Sequence, residues 1–119
     1  MVNLNEATSQ FDYTEAHRQA VSNLIYHANI LTPAEIWGVK WQYNRTFHGA
    51  LLGGFYAAFF EAANRADAQN FRRLSMGFPD EIDGMRAWRH GDLAEKVRRF
   101  LDDFIDRRRA EFEKEVSQR

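Results

Sequence analysis

Leu31-Thr32-Pro33-Ala34-Glu35-Ile36 is the stretch that decides the fold. Thr32 is an N-cap residue, Pro33 has the backbone angle of a first helical position, and Glu35 stands where a capping-box carboxylate reaches back to the cap. Leu31 and Ile36 flank these residues at the spacing of a hydrophobic staple. The helix they open carries Trp37, Trp41, Asn44 and His48 along one line, with Ile36, Lys40, Tyr43 and Phe47 beside it.

Upstream, Asp12 with Glu15 reads as a second capping box, and Val21, Leu24, Ile25, Ala28 and Leu31 make one apolar face. Residues 1–11 read as a flexible polar arm. Downstream, a single helix from Pro33 to Ser75 would be ~65 Å long at 1.5 Å per residue, too long for a compact domain. A turn near His48-Gly49 is therefore expected, followed by a helix from about Ala50 to Ser75; one long continuous helix in an oligomer is the alternative. Its Phe55, Tyr56, Phe59 and Phe60 cover most of the circumference, which predicts the central, most buried helix. Gly53 and Gly54 would let a neighbouring helix approach closely. Gly77-Phe78-Pro79 has the pattern of a Schellman stop. A short helix over Asp80 to Arg89 follows, with Ile82, Met85 and Trp88 inward; His90-Gly91 ends it. Asp92 with Glu95 then opens a last helix of ~40 Å.

These signals predict an all-α fold: one domain over residues 1–119, a compact bundle of about five helices with a long C-terminal helix. The chain has 119 residues, enough for one core but not for two domains. Apolar residues at 45% and charged residues at 28% place it among globular chains. Ten Phe, four Tyr and three Trp are more ring surface than so small a core readily buries, leaving some for an interface.

Composition also narrows the function. Sixteen basic against 17 acidic side chains, for a net charge of −1, argue against nucleic acid as the partner. The turn at Gly77-Pro79 invites comparison with a helix-turn-helix, but Asp80, Glu81 and Asp83 would repel DNA. With no cysteine there are no disulfides, thiolate nucleophile or Cys-ligated zinc. His17, His27, His48 and His90 include no pair at three- or four-residue spacing, so no metal or other cofactor is expected. All-α nucleotide pyrophosphatases hold magnesium through paired carboxylate turns. The nearest candidates here are Asp80 with Asp83 and Asp103 with Asp106, and Glu61 is followed at that spacing by Asn64. No serine stands in a nucleophile-elbow context. Residues 1–10 lack the apolar segment of a signal peptide, and 50–63 is too short to span a bilayer, so a cytoplasmic protein is expected.

Candidate binding residues remain. Trp37, Trp41, Asn44, Arg45 and His48 mix large aromatics with hydrogen-bonding heads, the composition of interface hot spots and of planar-ligand pockets. The same residues also suit a core helix with polar edges. Asn64, Asp67 and Asn70 lie near the line of Phe60, Phe71 and Leu74. A buried Asp67 would need Arg45 or Arg86 as partner, in a structural polar network or a site. Phe112 and Val116, alone in a charged helical tail, read as lone surface residues or as the seam of a homo-oligomer. The tail's charges suit solvated i,i+4 pairs, as in Asp103 with Arg107 and Arg109 with Glu113.

The run from Ala66 through Asp67, Asn70 and Phe71 to Leu74, then Gly77-Phe78-Pro79 and Trp88, resembles a pattern in small bacteriophage accessory proteins of unsettled function. The resemblance implies a phage protein working in the host cytoplasm, and it carries over no catalytic residue. By analogy, the expectation is a non-catalytic protein that inhibits or sequesters a host factor in the anti-defence manner. A sponge for a small nucleotide-like ligand is the alternative, and a pyrophosphatase-like enzyme comes third.

Overall fold

The computed structural model describes residues 10–119, so the first nine residues of the expected arm lie outside it. Phe11 is anchored, its ring against Tyr13 and Phe112 at 4.8 and 5.5 Å. Six α-helices and no strand make up the described residues: α1 (Tyr13–Tyr26), α2 (Pro33–Tyr43), α3 (Gly53–Arg65), α4 (Ala68–Gly77), α5 (Pro79–His90) and α6 (Leu93–Ser117). The fold is all-α, with one helix more than expected and a long last helix.

The start of α2 is as read. Thr32 Oγ1 accepts from Glu35 N at 3.1 Å, and Glu35 Oε1 accepts from Thr32 N at 2.9 Å. Lys96 of α6 reaches over to Glu35 and donates to the Ile30 carbonyl at 2.9 Å, tying the α1–α2 loop down. The other two boxes are incomplete. Asp12 caps α1 through Glu15 N, but the Glu15 carboxylate goes to Arg18. Asp92 makes no side-chain cap, and Glu95 pairs with Arg98 and Arg99 instead. In both cases an arginine three or four residues on competes for the box carboxylate and wins.

The turn at His48-Gly49 is present. His48 and Gly49 adopt φ +53° and +85°, a left-handed pair that reverses the chain. The expected helix from Ala50 to Ser75 is instead two. Ala66 and Asp67 are extended, and Asp67 Oδ1 accepts from Asn70 N at 2.8 Å, starting α4 afresh. Asp67 is thus an exposed N-cap and not a buried carboxylate seeking Arg45 or Arg86. Gly77 ends α4 without a positive φ, so there is no Schellman stop. Phe78 closes α4 through its N–H to Leu74 O and, followed by Pro79, also opens α5.

Two apolar clusters organise the molecule. Val21, Leu24, Ile25, Val39, Leu93, Val97 and Leu101 join α1, α2 and α6. Phe59, Phe60, Ala63, Ile82 and Met85, flanked by Trp37, Trp41, Phe71, Leu74 and Phe78, join α3, α4 and α5 to the opposite face of α2. The pair α2–α5 belongs to both clusters and makes the closest crossing in the fold. A Cβ on Gly38 would sit 2.5 Å from the Gly84 carbonyl oxygen, and one on Gly84 would sit 2.6 Å from Gly38 N. The close-packing glycines are therefore these two. Gly53 and Gly54 meet no atom within 4 Å. Nor is α3 the central helix, because Phe55 is 66% exposed. The molecule is also elongated rather than compact, 63 × 24 × 21 Å with a radius of gyration of 17.9 Å. A globular domain of this length has about 13 Å.

Val116 is buried and Phe112 half-buried. Phe112 lies on Phe11, and α6 runs along α1. Phe11 thus covers part of Phe112, and Val116 is buried within the single chain, so neither stands free on the surface as a homo-oligomer seam would.

Candidate binding groove

The left-handed turn brings α3 back beside the end of α2. Asn44 holds that turn: its Oδ1 accepts from Leu52 N at 3.0 Å, and its carbonyl accepts from Gly49 N at 2.9 Å. The result is an open groove of about 820 Å³. Trp41, Asn44, Arg45 and His48 form one wall, and Phe60, Glu61, Asn64 and Arg65 of α3 form the other. Four of the seven binding residues read from the sequence meet here. Trp37 does not; its ring packs on Tyr56 at 4.4 Å and Phe60 at 6.1 Å inside the second cluster. Asp67 and Asn70 do not line it either, being engaged at the start of α4.

One further residue borders the groove by contacting two that line it. Arg89 of α5 lies with its guanidinium 5.3 Å from the Trp41 ring centroid and donates to Asn64 Oδ1. Arg65 pairs with Glu61 at 2.7 Å. Arg89 is 25 residues from Asn64, and nothing local in the sequence signals the contact. A hint was the absence of an acid three or four residues from Arg89 on its own helix.

Charge sets the groove apart from the surface of α6. Along α6, Arg98, Arg99, Arg107, Arg108 and Arg109 each have a carboxylate within 4 Å, including the two pairs expected from spacing. Arg45 and Arg89 have none among the described residues. Glu61 is offset by Arg65, so the groove carries a local positive excess within a chain of net charge −1. Trp41 lies near-parallel to Phe60, with ring centroids 6.2 Å apart and planes at 18°. Its indole is thus already in contact with both a ring and a guanidinium.

Among the described residues, no group of three or more His, Asp or Glu is placed to hold a metal ion, and no helix is long and apolar enough to cross a membrane. No protein-family model, curated protein or solved structure matches the chain.

Proposed function

We propose that this is a non-catalytic binding protein whose groove captures an acidic segment of a partner protein. The observation that carries the reading is the pair Arg45 and Arg89, two guanidiniums without a carboxylate, the first lining the open groove and the second lying against its Trp41. Guanidiniums bind carboxylates bidentately, and a neighbouring indole supplies apolar area and excludes water, the combination found at interface hot spots. The resemblance to small phage proteins supports the biological half of the proposal. The partner is then a host factor, met in the host cytoplasm and inhibited or sequestered by being bound.

The groove's size favours a second reading, since about 820 Å³ also suits a nucleotide-like ligand. Against it, Phe60 and Arg89 already occupy space around the indole on which a base would stack.

Calorimetric titration with a glutamate-rich peptide tests the first reading. Binding should weaken with salt, as exposed charge pairs do, and Arg45→Glu or Arg89→Glu should weaken it by more than about tenfold. Equal affinity in wild type and variants would reject the groove. A nucleotide panel in a thermal-shift assay tests the second, because a selective ligand stabilises the native state by mass action. Magnesium-dependent turnover of any nucleotide would overturn the non-catalytic reading.

A further inference from the structure

Glu61 and Asn64 stand on α3 at a three-residue spacing, which sets them side by side on the helix, and both line the groove. Each holds one arginine. Glu61 pairs with Arg65 of its own helix at 2.7 Å and offsets its charge, whereas Asn64 Oδ1 accepts from Arg89 of α5 and leaves that charge intact. The Arg89–Asn64 bond is the one hydrogen bond between α3 and α5 among the described residues. Both partners are exposed, and a bond between exposed groups adds little to stability, because water offers each the same bond. What it does is fix where Arg89 points. The guanidinium lies 5.3 Å from the Trp41 ring centroid, and Phe60, one turn before Asn64 on α3, packs near-parallel on the same indole. Helix α3 thus shapes the surroundings of Trp41 twice, directly through Phe60 and by way of Arg89 through Asn64.

We infer that Asn64 is the positioning residue of the groove: its neutral amide holds the Arg89 guanidinium against Trp41, charged and open to a carboxylate of the acidic segment. The inference rests on the binding reading above. A mobile arginine loses rotamer freedom when a ligand fixes it, and that loss weakens binding. Arg89, held by Asn64, has lost much of it in the free protein. The amide takes up only part of the guanidinium's fork of donors, and the rest stays available. A carboxylate at position 64 would hold Arg89 equally well but would neutralise it, as Glu61 does Arg65. Asn64 acts through Arg89, so its effect on binding must vanish when the Arg89 side chain is removed.

A double-mutant cycle on the full chain tests this, by calorimetric titration of a glutamate-rich peptide into wild type, N64A, R89A and N64A/R89A. Low salt strengthens the contact with Arg45 and keeps binding by the R89A proteins measurable. N64A should weaken binding about three- to tenfold in the wild-type background and less than about twofold in the R89A background. A residue that merely supported the fold would cost the same in both, and thermal melts by circular dichroism check that all four proteins are folded. Arginine side-chain NMR of the peptide-free protein reads the positioning directly. Rotation of the Arg89 guanidinium about Nε–Cζ should be slow enough in wild type to separate its two Nη signals, and the signals should average in N64A. Absence of peptide binding by wild type would overturn the groove reading and this inference with it. If wild type binds, an equally tight N64A, an equal loss in both backgrounds, or averaged Arg89 signals in wild type would each overturn this inference alone.

Discussion

A methyl group added at Gly84 would stand 2.6 Å from Gly38 N and also against the Ala34 carbonyl, both backbone atoms that cannot swing aside. Gly84→Ala should therefore destabilise by about 1–3 kcal/mol, the usual cost of overpacking, read as a lower urea midpoint. Gly54→Ala is the matched control. It lies in α3 with nothing within 4 Å and without a positive φ, so it should be neutral or stabilise by up to about 1 kcal/mol. A Gly84→Ala variant as stable as wild type would show that the helices cross less tightly than described. Glu95 answers to pH. Hydrogen bonds from Arg98, reinforced by Arg99, pull its carboxyl from the usual 4.5 to about 2. A lowered folded value contributes stability above the unfolded value and loses it as pH falls through the folded one. The contribution should fade between about pH 4.5 and about 2, and Glu95→Gln should flatten the pH dependence of the thermal midpoint there. An unchanged slope would mean that water screens this exposed cluster completely.

Helix starts that look alike in sequence differ in what the side chains do. Thr32 caps α2 reciprocally with Glu35, while Asp92 makes no cap bond to α6. Thr32→Ala should cost about 1 kcal/mol, whereas Asp92→Ala should cost at most a few tenths. Equal losses in denaturant titration would count against this distinction. Glu35 explains part of the difference. Burial alone would raise its carboxyl, but the Thr32 N–H and the Lys96 ammonium outweigh burial and lower it. The box is thus braced by a residue 61 positions away, and no local pattern announces that. The split of the expected 50–75 helix has a similar lesson. Asp67 is a good capping residue, and Ala66 is extended before it. Apolar spacing continues across the break because both helices turn apolar side chains to the same second cluster.

Across the whole molecule, helices differ in how many clusters hold them. Helices α2 and α5 serve both clusters, whereas α4 has no buried residue and rests on α5 and α3 through half-buried Phe71 and Leu74. Local opening follows such differences in burial. Amides of α4 should exchange with deuterium at least about tenfold faster than those of α2 and α5, measured by mass spectrometry after proteolysis. Equal protection would mean that the periphery unfolds only with the cores.

Capping residues and the spacing of apolar side chains act within a few residues, so the sequence alone determined that the chain is helical. It also located the start of α2, the reversal at His48-Gly49 and the Trp41, Asn44, Arg45 and His48 surface. What needed the tertiary structure was everything decided by contacts distant in sequence or by competition between neighbours. Arginines took Glu15 and Glu95 from their boxes, Gly38 and Gly84 rather than Gly53 and Gly54 became the crossing point, and Phe11 covered Phe112. Arg89 reached Trp41 and Asn64 across the same kind of distance. Periodicity says which face of a helix is apolar, but only packing chooses the helix that covers it.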